Sequence, residues 1–296
     1  MKIIDKLFHI YDRYDFSRYD HEPEAGKPFY GVYHIYCDNG WEKMVKEQID
    51  HLRRSGLLRA SKKLFVSIIT RHEGDEEKLR KMVDSDKLQI ISATSEASAY
   101  EYPALRWVRH MAQEESCLIY YFHTKGISYQ AVGAVDRRFR SFQHKIEEWR
   151  IMLEYFIFDK WHIAVNALND GYDLYGCYQW PPRDYKMFSG NFWWVSSDYA
   201  RQLPELSAEN IGGNRFYSEV WPFQRPHRVC SPFETVVDLY YVRIPRSIYT
   251  EERPKWTDRF RFVFTYNWRK FLKHVFHYSY KEQCQKRYQR WKKQHL

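Results

Sequence analysis

Between Phe29 and Phe122 the chain alternates two periodicities, and this alternation constrains the fold more than any other feature. Phe29 to Tyr36 (FYGVYHIY), Lys63 to Thr70 (KLFVSIIT), Leu88 to Ser92 (LQIIS) and Leu118 to Phe122 (LIYYF) are short apolar runs rich in β-branched or aromatic residues, the composition of buried strands. Between the first two runs, Trp41 to Leu57 carries apolar residues at 41, 44, 45, 49 and 52, the spacing of an amphipathic helix, with Gly56 as a stop. Asp75 to Val83 and Tyr102 to Gln113 read as helices in the remaining gaps. Strands alternating with helices predict an α/β protein with a Rossmann-like, mostly parallel sheet and right-handed crossovers. Its ligand edge then collects the carboxyl ends of strands one, two and four.

The second half changes character. Arg137 to Leu168 reads as a long helical region, Gly171 to Trp180 (GYDLYGCYQW) as a strand, and Phe188 to Pro204 (FSGNFWWVSSDYARQLP) as a Ser-Gly-Asn turn entering an aromatic strand. A cap from Ser196, Ser197 or Asp198 then starts a helix that ends before Pro204. Asp238 to Arg246 (DLYYVRIPR) reads as a final strand, and residues 1–27 as an N-terminal helix or extended arm.

With 296 residues, 44% of them hydrophobic, the chain can bury a full core. Its five cysteines are odd in number, widely spaced and without a CxxC pair, which points to a reducing cytoplasm. The first twenty residues hold no apolar stretch of the signal-peptide kind, and no run approaches the length of a membrane span. The net charge of +9 is confined: Arg259 to Leu296 holds eleven Lys or Arg against the single acid Glu282, a net of +10, so the preceding residues sum to −1. A near-neutral body with one cationic terminal segment points to a local surface anchor rather than a nucleic-acid-binding body.

His123, Thr124, Lys125 and Gly126 follow the fourth strand directly. At the carboxyl end of a strand in an open α/β sheet they have the composition of a phosphate-facing loop, and equally that of a polar turn after a buried strand. A first strand ending near Asp38-Asn39, the YYFHTKG stretch, FSGNFWW and RFYSEVW together resemble bacterial glycosyltransferases of capsule, lipopolysaccharide and rhamnan-type polysaccharide biosynthesis. The resemblance covers roughly residues 28 to 246, and HTKG and SGNFWW are its most specific parts. It implies a nucleotide-sugar-dependent GT-A-like fold. A catalytic domain is expected over 1–258, with a nucleotide-binding half at about 28–135 and an acceptor and donor-sugar half at about 136–258, followed by a basic aromatic tail over 259–296.

The chain departs from the GT-A pattern where those enzymes carry a metal-binding Asp-x-Asp, because His123-Thr124-Lys125 stands in that place. A divalent metal neutralises the charge on the departing diphosphate. Lys125 as a point charge and His123 as a protonated or N–H-donating imidazole would stabilise the departing diphosphate in the same way, so the expectation is no cofactor and no metal ligand, with a UDP-sugar as co-substrate. Tyr33, Asp38, Asn39 and Arg71 lie at strand ends where the resembled fold places the nucleotide, together with His123, Thr124, Lys125 and Gly126. Asp38 is equally suited to cap the helix after it. Ser189, Gly190 and Asn191 fit contacts to the donor sugar or acceptor, since glycine admits close approach and an amide reads hydroxyls in both directions. Trp193 and Trp194 point to opposite faces of a strand, so at most one stacks on a sugar. Glu219 is the candidate general base, or the ion-pair partner of Arg215; Asp173, Asp184 and Asp198 are weaker rivals.

Two other classes compete: a nucleic-acid-binding protein using the basic aromatic tail, and another Rossmann-like transferase, although no GxGxxG turn or P-loop is present. Within the tail, Phe264, Trp268, Phe271, Leu272, Val275 and Phe276 recur at helical spacing beside Arg269, Lys270 and Lys273. That pattern fits either a packed terminal helix or a peripheral anchor on the anionic inner face of the cell membrane, beside a glycan acceptor that is itself lipid-linked.

Overall fold

A computed structural model of the chain describes residues 8–24, 26–83, 85–180 and 186–295. The chain divides into two compact units, one of Tyr14–Thr124 and Leu153–Pro232, the other of Met1–Arg13, Lys125–Met152 and Phe233–Leu296. In chain order the main elements are β1 (Phe29–Tyr36), α1 (Trp41–Arg54), β2 (Leu64–Ile69), α2 (Asp75–Met82), β3 (Leu88–Thr94), α3 (Tyr102–Glu114) and β4 (Leu118–His123). They continue with α4 (Arg137–Glu154), α5 (Trp161–Asn169), β5 (Leu174–Gly176), β6 (Trp193–Ser196), β7 (Val229–Cys230), α6 (Trp256–Val275) and α7 (Tyr280–His295).

The first unit is built on a seven-stranded sheet in the order β3-β2-β1-β4-β6-β5-β7. Every neighbouring pair is parallel except those made by β6, which runs antiparallel to both β4 and β5. A mostly parallel sheet flanked by helices is the fold class the alternation predicts. One face packs Val32, Ile119, Tyr121, Trp193 and Val195 against Leu105, Val108 and Ala112 of α3. On the other face Tyr33 stacks on Phe122 with ring centroids 4.2 Å apart, and Trp194 lies 4.8 Å from Tyr120. Burial on both faces is why these strands read as unbroken apolar runs, each large side chain contributing on the order of 2 kcal/mol.

Several boundaries differ from the sequence reading. Gly56, at φ +78°, ends α1 and starts a separate turn of helix, Leu57–Ala60, because its left-handed backbone cannot continue an α-helix. The stretch 171–180 breaks after Gly176, and Gln179–Trp180 pairs instead with Met187–Phe188 in a two-stranded ladder. The segment 238–246 is not a strand. Val237, Leu239, Val242 and Ile244 are all buried, but the backbone turns, with Tyr241 N–H donating to the Asp238 carbonyl. Its apolar residues record burial rather than a ladder. Residues 1–7 and Asp184 lie outside the described residues; the N-terminal stretch that follows contributes a short strand, Tyr11–Arg13, antiparallel to Phe233–Thr235.

In the second unit Val132, Phe139, Phe142 and Ile146 form a core with Cys284, Tyr288 and Trp291 of α7. Two of the tail's cations are held there: Arg287 pairs with Asp136 at 3.1 Å and Lys281 with Asp238 at 2.9 Å. α7 is therefore a packed helix. α6 is different: it buries Phe262 and Val263 but exposes Trp256, Phe260, Phe264, Trp268, Phe271 and Val275.

Candidate functional site

Parallel pairing of β1 and β4 puts His34 opposite His123, and the two-residue period sends Tyr121 and His123 to one face of the sheet. That face meets the start of α3, where Glu101 immediately precedes the helix and Pro103 occupies the first turn. The Glu101 carboxylate gathers the site. Its Oε2 accepts hydrogen bonds from the Tyr121 hydroxyl at 2.9 Å and from the Asn191 amide, and its Oε1 lies 3.5 Å from Nδ1 of His123. The Nε2–H of His123 donates to the Gly190 carbonyl at 3.0 Å, and the Asn191 side-chain oxygen accepts from the Trp193 indole at 2.8 Å. Gly190 at φ +102° and Asn191 at φ +56° make the tight turn that allows this, in a region glycine enters freely and asparagine tolerates. Glu101 and His123 keep 19% and 17% of their side chains exposed, so the pair is at the rim of the core.

The electrostatics are those of a charge pair set among neutral groups. Burial would raise the Glu101 carboxyl, but the charge of His123, then His34, and the hydrogen bonds from Tyr121 and Asn191 hold it below its ordinary value. Burial, then the charge and hydrogen bond of Glu101, push the Tyr121 phenol well above its ordinary range, and the charge of Glu219 adds to the rise. His34 is buried and lowered to about 4, so it is neutral at physiological pH, and its Nδ1 has no hydrogen-bond partner among the described residues.

His123 and Thr124 close the first unit's run, while Lys125 and Gly126 open a segment of the second. Thr124 is buried and spent on the backbone: its Oγ1 accepts from Tyr36 N–H at 3.0 Å. Lys125 holds its ammonium 3.7 Å from the centroid of the Trp149 ring. Gly126 sits at φ +83°. Tyr33 is fully buried, its hydroxyl donating to Gln48 at 2.6 Å. The Asp38 carboxylate accepts from the Asn39 backbone N–H at 2.9 Å, and the residue at the α1 cap is Gly40. Arg71 is exposed and donates to the Tyr36 hydroxyl at 2.7 Å. Ser189 and Asn191 are buried, and both Trp193 and Trp194 have no exposed surface, because the sheet is covered on both sides and each indole faces a packed layer. Glu219 lies on the short helix Tyr217–Val220. Asp173 accepts from Arg228 N–H and Asp198 pairs with Lys27 and Arg201, which gives both carboxylates structural partners.

Of the residues singled out in the sequence, the first unit thus brings together His123, Gly190 and Asn191, with the charge of Glu219 reaching Tyr121 beside them. Glu101 had not been singled out. The signal was present in its position: it follows the third strand and starts the next helix, the same edge of the sheet as the other candidates.

No family model and no curated protein matches the chain. Among solved structures it is similar to the mannosyltransferase PcManGT from Pyrobaculum calidifontis in complex with GDP-Man and Mn2+, at 10% identity and a TM-score of 0.41, over 88% of this chain and 76% of that one. The expectation of a reaction without cofactor or metal is corrected on that finding: the similar structure holds Mn2+ with a guanosine donor, so neither metal independence nor a uridine donor is carried forward. Among the described residues no group of three or more His, Cys, Asp or Glu is placed to hold a metal ion.

Proposed function

We propose that this chain is a glycosyltransferase that moves a sugar from a nucleotide-sugar donor to a hydroxyl of a glycan acceptor in surface-polysaccharide biosynthesis. The observation that carries the reading is the cluster of Glu101, His123, Gly190 and Asn191 at the carboxyl end of β4, with the charge of Glu219 close enough to act on Tyr121. Carboxyl ends of strands in open α/β sheets are where nucleotides bind. Residues of about 28–135 would hold the nucleotide and those of about 136–258 the sugar and acceptor. His123 places positive charge against the departing diphosphate, Gly190 and Asn191 hold the turn beside it, and Glu219 removes the acceptor proton as the new glycosidic bond forms and the bond to the diphosphate breaks. Asp38, Asn39 and Arg71, just beyond the carboxyl ends of the first two strands, are the nucleotide contacts there.

The exposed face of α6 supports an extension of this reading to a lipid-linked acceptor. Its aromatic stripe is flanked by Arg259, Arg261, Arg269, Lys270 and Lys273, the make-up of a helix that lies in an anionic membrane surface. Among the described residues no helix is long and apolar enough to cross a membrane.

Thermal denaturation against a panel of UDP- and GDP-sugars, each with and without Mn2+, tests the enzymatic reading. A donor at about 100 times its Kd adds about 2.7 kcal/mol, a rise of several degrees. A panel in which every member leaves the midpoint unmoved, with or without metal, overturns it.

A further inference from the structure

Both ring nitrogens of His123 face acceptors. Nε2 is 3.0 Å from the Gly190 carbonyl oxygen and Nδ1 is 3.5 Å from a Glu101 carboxylate oxygen. A neutral imidazole has one donor and one acceptor, so either tautomer would turn a lone pair toward an oxygen. Only the doubly protonated ring presents an N–H toward both oxygens. The same carboxylate accepts from Asn191 through its other oxygen, so one anionic group holds both the strand end and the Ser189-Gly190-Asn191 turn.

We propose that Glu101 is the positioning residue of the site: it keeps His123 as an imidazolium clamped on the Gly190 carbonyl and fixes Asn191 in its left-handed turn. His123 then acts as a fixed positive charge and not as the acid that hands a proton to the leaving group, because its Nε2–H is held by the Gly190 carbonyl and its Nδ1 faces the Glu101 carboxylate at 3.5 Å. The other groups facing the ring are compatible with this. His34, across the β1–β4 pair, is neutral; Tyr121, two residues back on the same strand, donates to Glu101 and stays protonated; Phe192 meets the ring edge-on at 5.2 Å. The Glu219 carboxylate, whose charge is felt at Tyr121, adds negative potential that also favours the cation. This assignment rests on the proposed function for what the charge is used for, but the clamp itself does not.

The test separates the two. In full-length protein labelled with 15N-histidine, with His123→Gln used to assign the resonance, the His123 ring should show both nitrogens protonated at pH 7.5. In Glu101→Gln that doubly protonated signal should be lost at the same pH, while Glu101→Asp should retain part of it. A His123 ring that is neutral at pH 7.5 in the unsubstituted protein, or one that is unchanged by Glu101→Gln in a variant whose thermal midpoint shows it to be folded, overturns the proposal. If the nitrogens behave as expected and no nucleotide-sugar binds, the clamp stands and the transferase reading fails. If a donor is turned over, Glu101→Gln should lower kcat by about 10²-fold with little change in donor KM, and the kcat of the unsubstituted enzyme should show no acidic limb belonging to His123.

Discussion

The imidazole of His51 on α1 is bound by Glu154, whose Oε2 lies 3.3 Å from its Nδ1, and Asp159 takes the other side, with Nε2 at 2.8 Å. Glu154 is almost fully buried and also accepts from the Gln48 amide at 2.9 Å. Burial alone would lower the histidine, but the hydrogen bonds and charges of Asp159 and Glu154 outweigh it and raise the ring to about 9. A raised value means the folded state gains from the proton. That stabilisation is complete below the ordinary value of 6.5 and is lost as pH rises through about 9. Replacing His51 with Gln should therefore cost about 2–4 kcal/mol at pH 6, and the gap should narrow by pH 9.5. Urea denaturation of both proteins at the two pH values checks this; a gap that does not change with pH would assign the cost to packing against Phe158.

Gly126 offers a second stability test, independent of charge. Its φ of +83° is strained for any L side chain, and an added Cβ would lie 2.7 Å from Cγ2 of Ile146. Gly126→Ala should lose roughly 1–3 kcal/mol from left-handed strain together with the contact. A denaturation midpoint within error of the unsubstituted protein would mean that the turn adjusts freely.

For Glu219 the informative substitution is Gln, which keeps the shape and removes the basicity. Turnover with a confirmed donor and acceptor should drop by about 10² to 10⁴ with donor affinity preserved. Near-normal turnover would move the base to another carboxylate.

The stripe on α6 makes a prediction that a core helix does not share. Phe264 and Trp268 are 57% and 48% exposed, so replacing both with Glu should change folding stability by no more than about 0.5 kcal/mol. The same change should abolish sedimentation with vesicles of anionic lipid, and binding of the unsubstituted protein should weaken as salt rises. Unfolding of the double variant, or vesicle binding that survives it, would place the stripe against something other than a bilayer.

The first four strands and their helices were legible because each carries its own period and each is bounded by a breaker: Gly40 before α1, Gly74 before α2 and Pro103 within the first turn of α3. The antiparallel sense of β6 was not legible, since a strand's apolar pattern is the same in both directions. The region 238–246 misled for a related reason: burial of Val237, Leu239, Val242 and Ile244 imitates strand spacing without a ladder. In the cluster at the end of β4, local composition pointed to His123 and the SGNFWW stretch to Gly190 and Asn191, whereas Glu101 was not singled out because a single carboxylate before a helix has no local signature. Its meaning arises when β4 and the turn before β6 arrive beside it. The face of α6 was undecidable from spacing alone, because a stripe of Phe and Trp has the same period whether protein or water covers it.

Because β6 opposes β4, Trp193 at its beginning pairs with Tyr121 near the end of β4, and Ser196 at its finish pairs with Leu118 at the start. Along every parallel strand the rim of the site is written downstream; along β6 it is written upstream. Two windows of opposite polarity, one trailing a strand and one leading into another, therefore shape a single rim. Changes in the loop between Phe188 and Trp193 therefore act on that rim and on the Gly190 and Asn191 contacts it carries, whereas changes after Ser196 fall at the opposite end of the strand.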